Sequence, residues 1–153
     1  MRAGTRLGID VGKVRVGVAR SDPHGMIATP VQTVQRAGRS VAKVLALAAE
    51  HDAVEFVVGL PIALSGRDTA STADARKFAQ QLADNSELPV RLVDERMTTM
   101  SAQSALRASG RTTKNSRSVI DQVAAVIILQ HALDFERSAA RPPGELVEPT
   151  LGS

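Results

Sequence analysis

Residues 6–12 read Arg6-Leu-Gly-Ile-Asp-Val-Gly12, and residues 14–19 read Val14-Arg-Val-Gly-Val-Ala19. In the first run Leu7, Ile9 and Val11 alternate with Gly8, Asp10 and Gly12, the period of a half-buried strand. One face is apolar. The other holds a single carboxylate between two residues without side chains. In the second run Val14, Val16 and Val18 face one way, and Arg15, Gly17 and Ala19 the other. Pairing through Gly12-Lys13 makes a floor of small residues two strands wide, with Asp10 on it and Arg15 at its edge. A carboxylate on a cleared floor can hold a metal ion while a bulky, charged substrate comes close to the backbone.

Residues 26–35 form a third strand-like run, joined to the second by the turn Asp22-Pro-His-Gly25. Short connections make these three an antiparallel meander. The pattern then changes. Ser40 is placed to cap a helix that buries Val41, Val44, Leu45 and Ala48 and ends near His51. Residues 54–60 are mostly apolar, as in a central parallel strand covered on both faces. A loop over 61–68 leads into a helix over 69–85 that buries Ala75, Phe78 and Leu82. Residues 89–93 read as a strand, 99–109 as a short helix stopped by Gly110, and 116–135 as the last helix. The fold class is therefore α/β: a five-stranded mixed sheet, order 3-2-1-4-5, strand 2 antiparallel, with helices on both faces. One domain spans 1–137. Residues 138–153, with Arg141-Pro-Pro-Gly144, read as a disordered tail.

A chain of 153 residues fits one domain with a sizeable core. The absence of cysteine excludes disulfides and thiolate metal sites, and fits a reducing, cytoplasmic setting. No apolar run approaches the roughly 20 residues needed to cross a bilayer, and the first residues lack the apolar core of a signal peptide. The net charge is +3, carried by fifteen arginines and four lysines. Arginine suits phosphate through its planar fork, although an Arg-favouring codon bias gives the same composition. With no Trp or Tyr and three Phe, binding of single strands by aromatic stacking is disfavoured. A nucleic acid would be held through its backbone and shape.

Two further acids can join Asp10. Asp94 and Glu95 close the fifth strand, and strand alternation sends them to opposite faces, so only one serves a given site. On the last helix Asp121 lies in line with Ala125 and Ile128, on the apolar stripe. Salt bridges or helix caps are the plain alternative for each acid taken singly. Converging, they would bind Mg²⁺ or Mn²⁺, hard cations that prefer carboxylate and water oxygens and support phosphodiester hydrolysis.

Gly8-Ile-Asp-Val-Gly12 with Arg15-Val-Gly-Val-Ala19, Val57-Val-Gly-Leu-Pro61, Asp94-Glu-Arg-Met-Thr-Thr99 and Ile120-Asp-Gln-Val-Ala-Ala125 resemble, in order and spacing, the motifs of the YqgF/RuvX family. The resemblance covers about residues 6–134. It implies a ribonuclease H-like fold and a nuclease, either of the 5′ end of pre-16S ribosomal RNA or of Holliday junctions. It also implies that Asp10, Glu95 and Asp121 are the catalytic and metal-binding triad, with Glu95 rather than Asp94 turned inward. One departure stands out. RuvC-type resolvases, similar in fold, take their second acid from the strand after the first helix. That strand here ends Val57-Val-Gly-Leu60 without an acid. They also carry a further acid on the last helix, where this chain has Ser118 or Ala124. Three carboxylates would hold a second ion only weakly until substrate phosphate completes its shell.

Arg107, Arg111, Lys114 and Arg117 cluster in a polar stretch before the Asp121 helix, a candidate phosphate-contacting loop or simply a solvated one. The resemblance picks out Lys114 as the motif lysine. Arg15 and Arg96 are the other substrate-contact candidates, although Arg96 can instead neutralise Asp94. Thr98 and Thr99 are placed to cap the next helix. His24, His51 and His131 are scattered and carry no assigned role.

The leading expectation is a metal-dependent hydrolase of structured nucleic acid in ribosome biogenesis, with pre-16S rRNA as substrate and a branched DNA junction as the alternative. A symmetric junction would suit a homodimer. An actin-like or sugar-kinase ATPase opens with a similar strand but needs two lobes. A non-catalytic nucleic-acid-binding module has no use for three carboxylates near phosphate.

Overall fold

The computed structural model describes residues 3–97 and 116–150, without the side chains of 97 and 116–121. Strands β1 (Thr5–Val11), β2 (Arg15–Ser21) and β3 (Ala28–Gln35) form the meander. Helix α1 (Ser40–Glu50), strand β4 (Ala53–Leu60), helix α2 (Ala70–Asp84) and strand β5 (Val90–Asp94) follow. A 3-10 turn (Glu95–Met97), helix α3 (Ser116–Ala139) and a short strand β6 (Glu145–Leu146) complete the described elements. The sheet order is β3-β2-β1-β4-β5-β6. β1 runs antiparallel to β2 and parallel to β4, as its alternation and the helical crossover require. The expected order holds, and a sixth strand extends it. The expected helix over 99–109 lies outside the described residues.

The alternation of β1 divides the molecule. Leu7 and Ile9 point into the larger core with Val16, Val18, Phe56, Val58, Phe78 and Leu82, covered by α1 and α2. Ala19, Val57, Ala125, Ile128, Leu129 and Leu133 form the core on the opposite face, under α3. Thr69 caps α2 rather than belonging to it: its hydroxyl and that of Thr72 each accept a backbone N–H from the other residue. The Thr72 hydroxyl also donates to the carbonyl of Pro61, which ties the start of α2 to the end of β4. In α1 the buried positions are Ser40, Val44, Leu47 and Ala48. Ser40 is the first helical residue and Arg39 occupies the cap position, so Ser40 is not the expected cap. Val41 and Leu45 sit at the margin of the core.

Helix α3 sets the geometry of the site, and it is fixed along its length. The Gln122 side-chain amide donates to the Thr33 hydroxyl at 3.0 Å. Gln130 accepts from Ala28 N–H at 2.9 Å and donates to the Met26 carbonyl at 3.0 Å. Near the far end Arg6, 1% exposed, donates to Glu136 at 3.3 Å and to the Gly4 carbonyl at 2.7 Å. Between these ties the helix lies directly on the strand. A methyl group at Gly8 would stand 2.7 Å from Leu129 Cβ and 3.0 Å from the Ala125 carbonyl oxygen.

The disordered tail expected from residue 138 is corrected. α3 continues to Ala139, and the following residues lie along β5. Arg91 and Leu92 pair with Leu146 and Glu145, and Val147 N–H donates to the Val90 carbonyl at 2.8 Å. Asp84 accepts from both the backbone N–H and the hydroxyl of Thr150. The physical reason is the edge of β5: its backbone donors and acceptors need partners, and this segment supplies them despite its Pro and Gly content. Among the described residues no helix is long and apolar enough to cross a membrane.

Gly8→Ala is expected to lower stability by about 1–3 kcal/mol, because the helix must lift or tilt to admit one carbon. Urea unfolding of both proteins, compared at constant m-value, checks this.

Candidate active site

Asp10 lies near the carboxyl end of β1, half-buried, on the α3 face. Its neighbours are small. Gly17 pairs with it on β2, and Gly59 follows the Ile9–Val58 pair on β4. Gly8 and Ala19 pair one step back. The small-residue floor read from the sequence is therefore present, and Arg15 is half-buried at its margin, with its carbonyl accepting from Gly12 N–H at 2.9 Å. On the other face, Arg36 donates to the Gly12 carbonyl at 3.0 Å and to Asp74 at 2.8 Å, bracing the β1–β2 turn.

Asp94 and Glu95, adjacent in sequence, part company at the end of β5. The Arg96 backbone N–H donates to Asp94 Oδ1 at 2.9 Å, and the Arg96 guanidinium grips the same carboxylate at 2.6 Å. This pairing holds the Asp94 carboxyl below its usual range. Glu95 instead lies over Gly59: a methyl group there would stand 3.0 Å from both Glu95 Cγ and Cδ. Burial, then the charge of Asp10, then that of Asp94, push the Glu95 carboxyl up to about 7. The charges of Asp10 and Asp94 thus both act on Glu95, while Asp94 alone of the adjacent pair is gripped by Arg96. Arg96 serves as the partner of Asp94, the alternative that its position next to that acid had allowed.

The backbone of α3 carries residue 121 one turn ahead of Ala125, whose carbonyl borders Gly8. The adjoining Gln122 is anchored to Thr33, which pairs with Gly17. Thr33, Gly17 and Asp10 lie in one row across the sheet. The start of the helix therefore sits above the row that holds Asp10. The side chains of Asp121 and Arg117 lie outside the described residues, as do Arg111, Lys114, Thr98 and Thr99 altogether. Among the described side chains no three acids or histidines form a cluster.

Several positioning residues were not foreseen. Gln122 and Thr33 are 89 residues apart, and Arg36 and Asp74 are 38 apart, so no local pattern marks either pair. Gly59 had a visible signal, a glycine near the end of an apolar strand, and its effect is to clear space for Glu95.

The family model described as "RuvX: Holliday junction resolvase" matches residues 4–135. The chain belongs to the RuvX family. It is 66% identical to a Clavibacter michiganensis protein named "Putative pre-16S rRNA nuclease", over 96% of this chain and 93% of that protein. A Leifsonia xyli protein of the same name is 57% identical over 99% of both chains. Among solved structures, Thermus thermophilus RuvC in complex with a Holliday junction substrate has a TM-score of 0.59 at 16% identity, over 91% of this chain and 99% of that one. That likeness shows the ribonuclease H-like fold of this RuvX member.

The raised Glu95 carboxyl has a stability consequence. Below the ordinary carboxylate range, near 4.5, the group is protonated whether the chain is folded or not. Between 4.5 and about 7 the folded chain keeps a proton that the unfolded chain has lost. The stability this contributes is lost as pH rises through that window. In chelator, the urea midpoint is expected to fall from pH 5 to pH 8 by more in the parent protein than in Glu95→Gln. Equal falls would refute the assignment.

Proposed function

We propose that this RuvX-family protein is a divalent-metal-dependent nuclease that hydrolyses phosphodiester bonds in structured nucleic acid, with precursor 16S rRNA, cleaved near its 5′ end, as the substrate. The observation that carries the reading is the juxtaposition of Asp10 and Glu95 at the carboxyl end of the sheet, beneath the start of the helix that bears Asp121. The pre-16S rRNA nuclease names of the relatives support the substrate, and a cytoplasmic setting follows from it.

The donor set fits Mg²⁺ or Mn²⁺. The charge of Asp10 raises the proton affinity of the Glu95 carboxyl, a repulsion that a bound cation would relieve, and hard cations take carboxylate oxygens. Asp10, Glu95 and Asp121 would hold the metal. When bound, it would supply charge stabilisation and an activated water for hydrolysis. The chain's own contribution is steric and electrostatic. Gly8, Gly17 and Gly59 keep side chains away from Asp10, so that a phosphate can approach the carboxylates. Gln122 and Thr33 hold the start of α3 against the sheet. Asp94 keeps its negative charge matched by Arg96 and adds little net repulsion to an incoming phosphate. Arg15 at the margin, with Arg111 and Lys114 before α3 and Arg117 at its start, would contact the nucleic-acid backbone.

The alternative substrate is a four-way DNA junction, favoured by the description of the family model. A cleavage assay on both substrates side by side decides between them. Preferential cleavage of the junction would reverse the assignment.

Asp10→Asn is expected to reduce cleavage by about 10²-fold or more while leaving the fold and substrate binding intact. Circular dichroism and gel-shift titration check the second half. Activity is expected to vanish in excess chelator and to return with Mn²⁺ or Mg²⁺. Cleavage that persists in chelator would overturn the metal-dependent reading. Neutralising Lys114 and Arg117 together is expected to weaken binding and to flatten its dependence on log salt by about 0.7–0.9 for each phosphate left without its cationic side chain.

A further inference from the structure

The loop between β4 and α2 presents an apolar side chain beside the candidate site. Leu64 is 89% exposed, more than any other large hydrophobic residue described; Val14 and Ile27 follow at 62%. Exposure of one leucine is ordinary on a loose loop. This loop is a tight hairpin. Ile62 bridges to Asp68, Ala63 N–H donates to the Arg67 carbonyl at 3.0 Å, and Gly66 N–H donates to the Ala63 carbonyl at 2.7 Å. Gly66 has φ +87°, the left-handed conformation that closes a three-residue hairpin turn. Leu64 and Ser65 occupy its two corners. The hairpin is held at its root by the bond from Thr72 to Pro61.

The position of the tip is as informative as its shape. The loop leaves β4 one residue after Gly59, over which Glu95 lies. At the turn, a methyl group on Gly66 would stand 3.7 Å from the Arg96 guanidinium. Arg67, exposed, follows the turn, while the charge of Asp68 at its base is partly offset by Arg76 at 3.9 Å. The tip therefore joins a preorganised apolar projection to the exposed Arg67 at the rim of an acid site. A guanidinium group holds a phosphate, and an apolar wedge beside it meets the sugar or base. In a chain without Trp or Tyr, with Phe56 and Phe78 buried and Phe135 near the far end of α3 beneath Arg141, an aliphatic side chain is what remains here for contact with a base face.

We propose that Leu64 is a substrate-reading wedge: it inserts against the base next to the cleaved bond and makes the enzyme prefer a site where a nucleic-acid helix gives way to single strand. This deepens the nuclease reading and rests on it for the location of the cleaved bond. A helix end suits such a wedge because the last base pair is the cheapest to unstack.

The test uses an RNA spanning the mature 5′ end of 16S rRNA, with a helix abutting the cleavage position and 2-aminopurine as the adjoining base. A single strand of the same sequence is the reference. In the Asp10→Asn background, binding is expected to raise 2-aminopurine fluorescence. Leu64→Ser should abolish the rise and Leu64→Met should retain it. In the active protein, Leu64→Ser is expected to lower the ratio of helix-flanked to single-strand cleavage by about tenfold, the effect of removing one base interaction. An equal fluorescence rise with Leu64→Ser, or a cleavage ratio changed by less than twofold, overturns the wedge. If the parent protein cleaves neither RNA yet the Leu64-dependent rise is present, the nuclease reading falls and the wedge stands. Melting curves confirm that the surface variants fold.

Discussion

The architecture depends on the close contact between helix α3 and the middle of the sheet. It is possible because β1 offers Gly8, where a single added carbon would collide with the helix. The same absence of side chains continues toward the carboxyl end of the strand through Gly17 and Gly59, on either side of Asp10. Glycine in a strand interior weakens it, through poorer packing and greater chain entropy. Here that cost is offset by two layers brought close enough for acids from β1 and from the end of β5 to share one electrostatic site, with the start of α3 above them. A floor of ordinary β-formers would make a firmer sheet and would keep the acids apart.

Charge on the α3 face is arranged differently at the two ends of the sheet. At the amino ends of the parallel strands Arg6 meets Glu136 and Arg91 meets Glu55, each pair buried or nearly so and each of opposite sign. Opposite charges offset one another in such pairs, and their work is to hold elements in register. At the carboxyl ends the charge of Asp10 acts on Glu95 with the same sign, and the burial of Glu95 increases the cost. Like charges are not assembled for stability. They mark a place where a cation or a proton belongs. The contrast between Asp94, matched by Arg96, and Glu95, raised to about 7, makes the distinction within two consecutive residues.

The C-terminal segment shows how edge chemistry overrides composition. Arg141-Pro-Pro-Gly144 resembles a solvated tail by residue type, yet the next residues pair with β5 and reach Asp84 at the end of α2. Main-chain hydrogen bonding is indifferent to side-chain identity. An open strand edge can therefore recruit a segment that no propensity favours. The extension of α3 to Ala139 brings the chain to that edge.

Strand periodicity at 6–12 and 14–19, the apolar run at 54–60 and the stripe on the last helix were legible because alternation and helical period are local properties. They yield the order of the sheet, the floor around Asp10 and the two faces of the core. The choice between Asp94 and Glu95 was open on alternation alone; motif resemblance pointed to Glu95, and the folded chain lays Glu95 over Gly59 while Arg96 takes Asp94. Sequence cannot specify that Gln122 meets Thr33, that Arg6 is buried against Glu136, or that Gly59 leaves room for Glu95. Those contacts join residues tens of positions apart. Their partners are selected by how helix and sheet layers pack, a property of the whole folded chain that no short window contains.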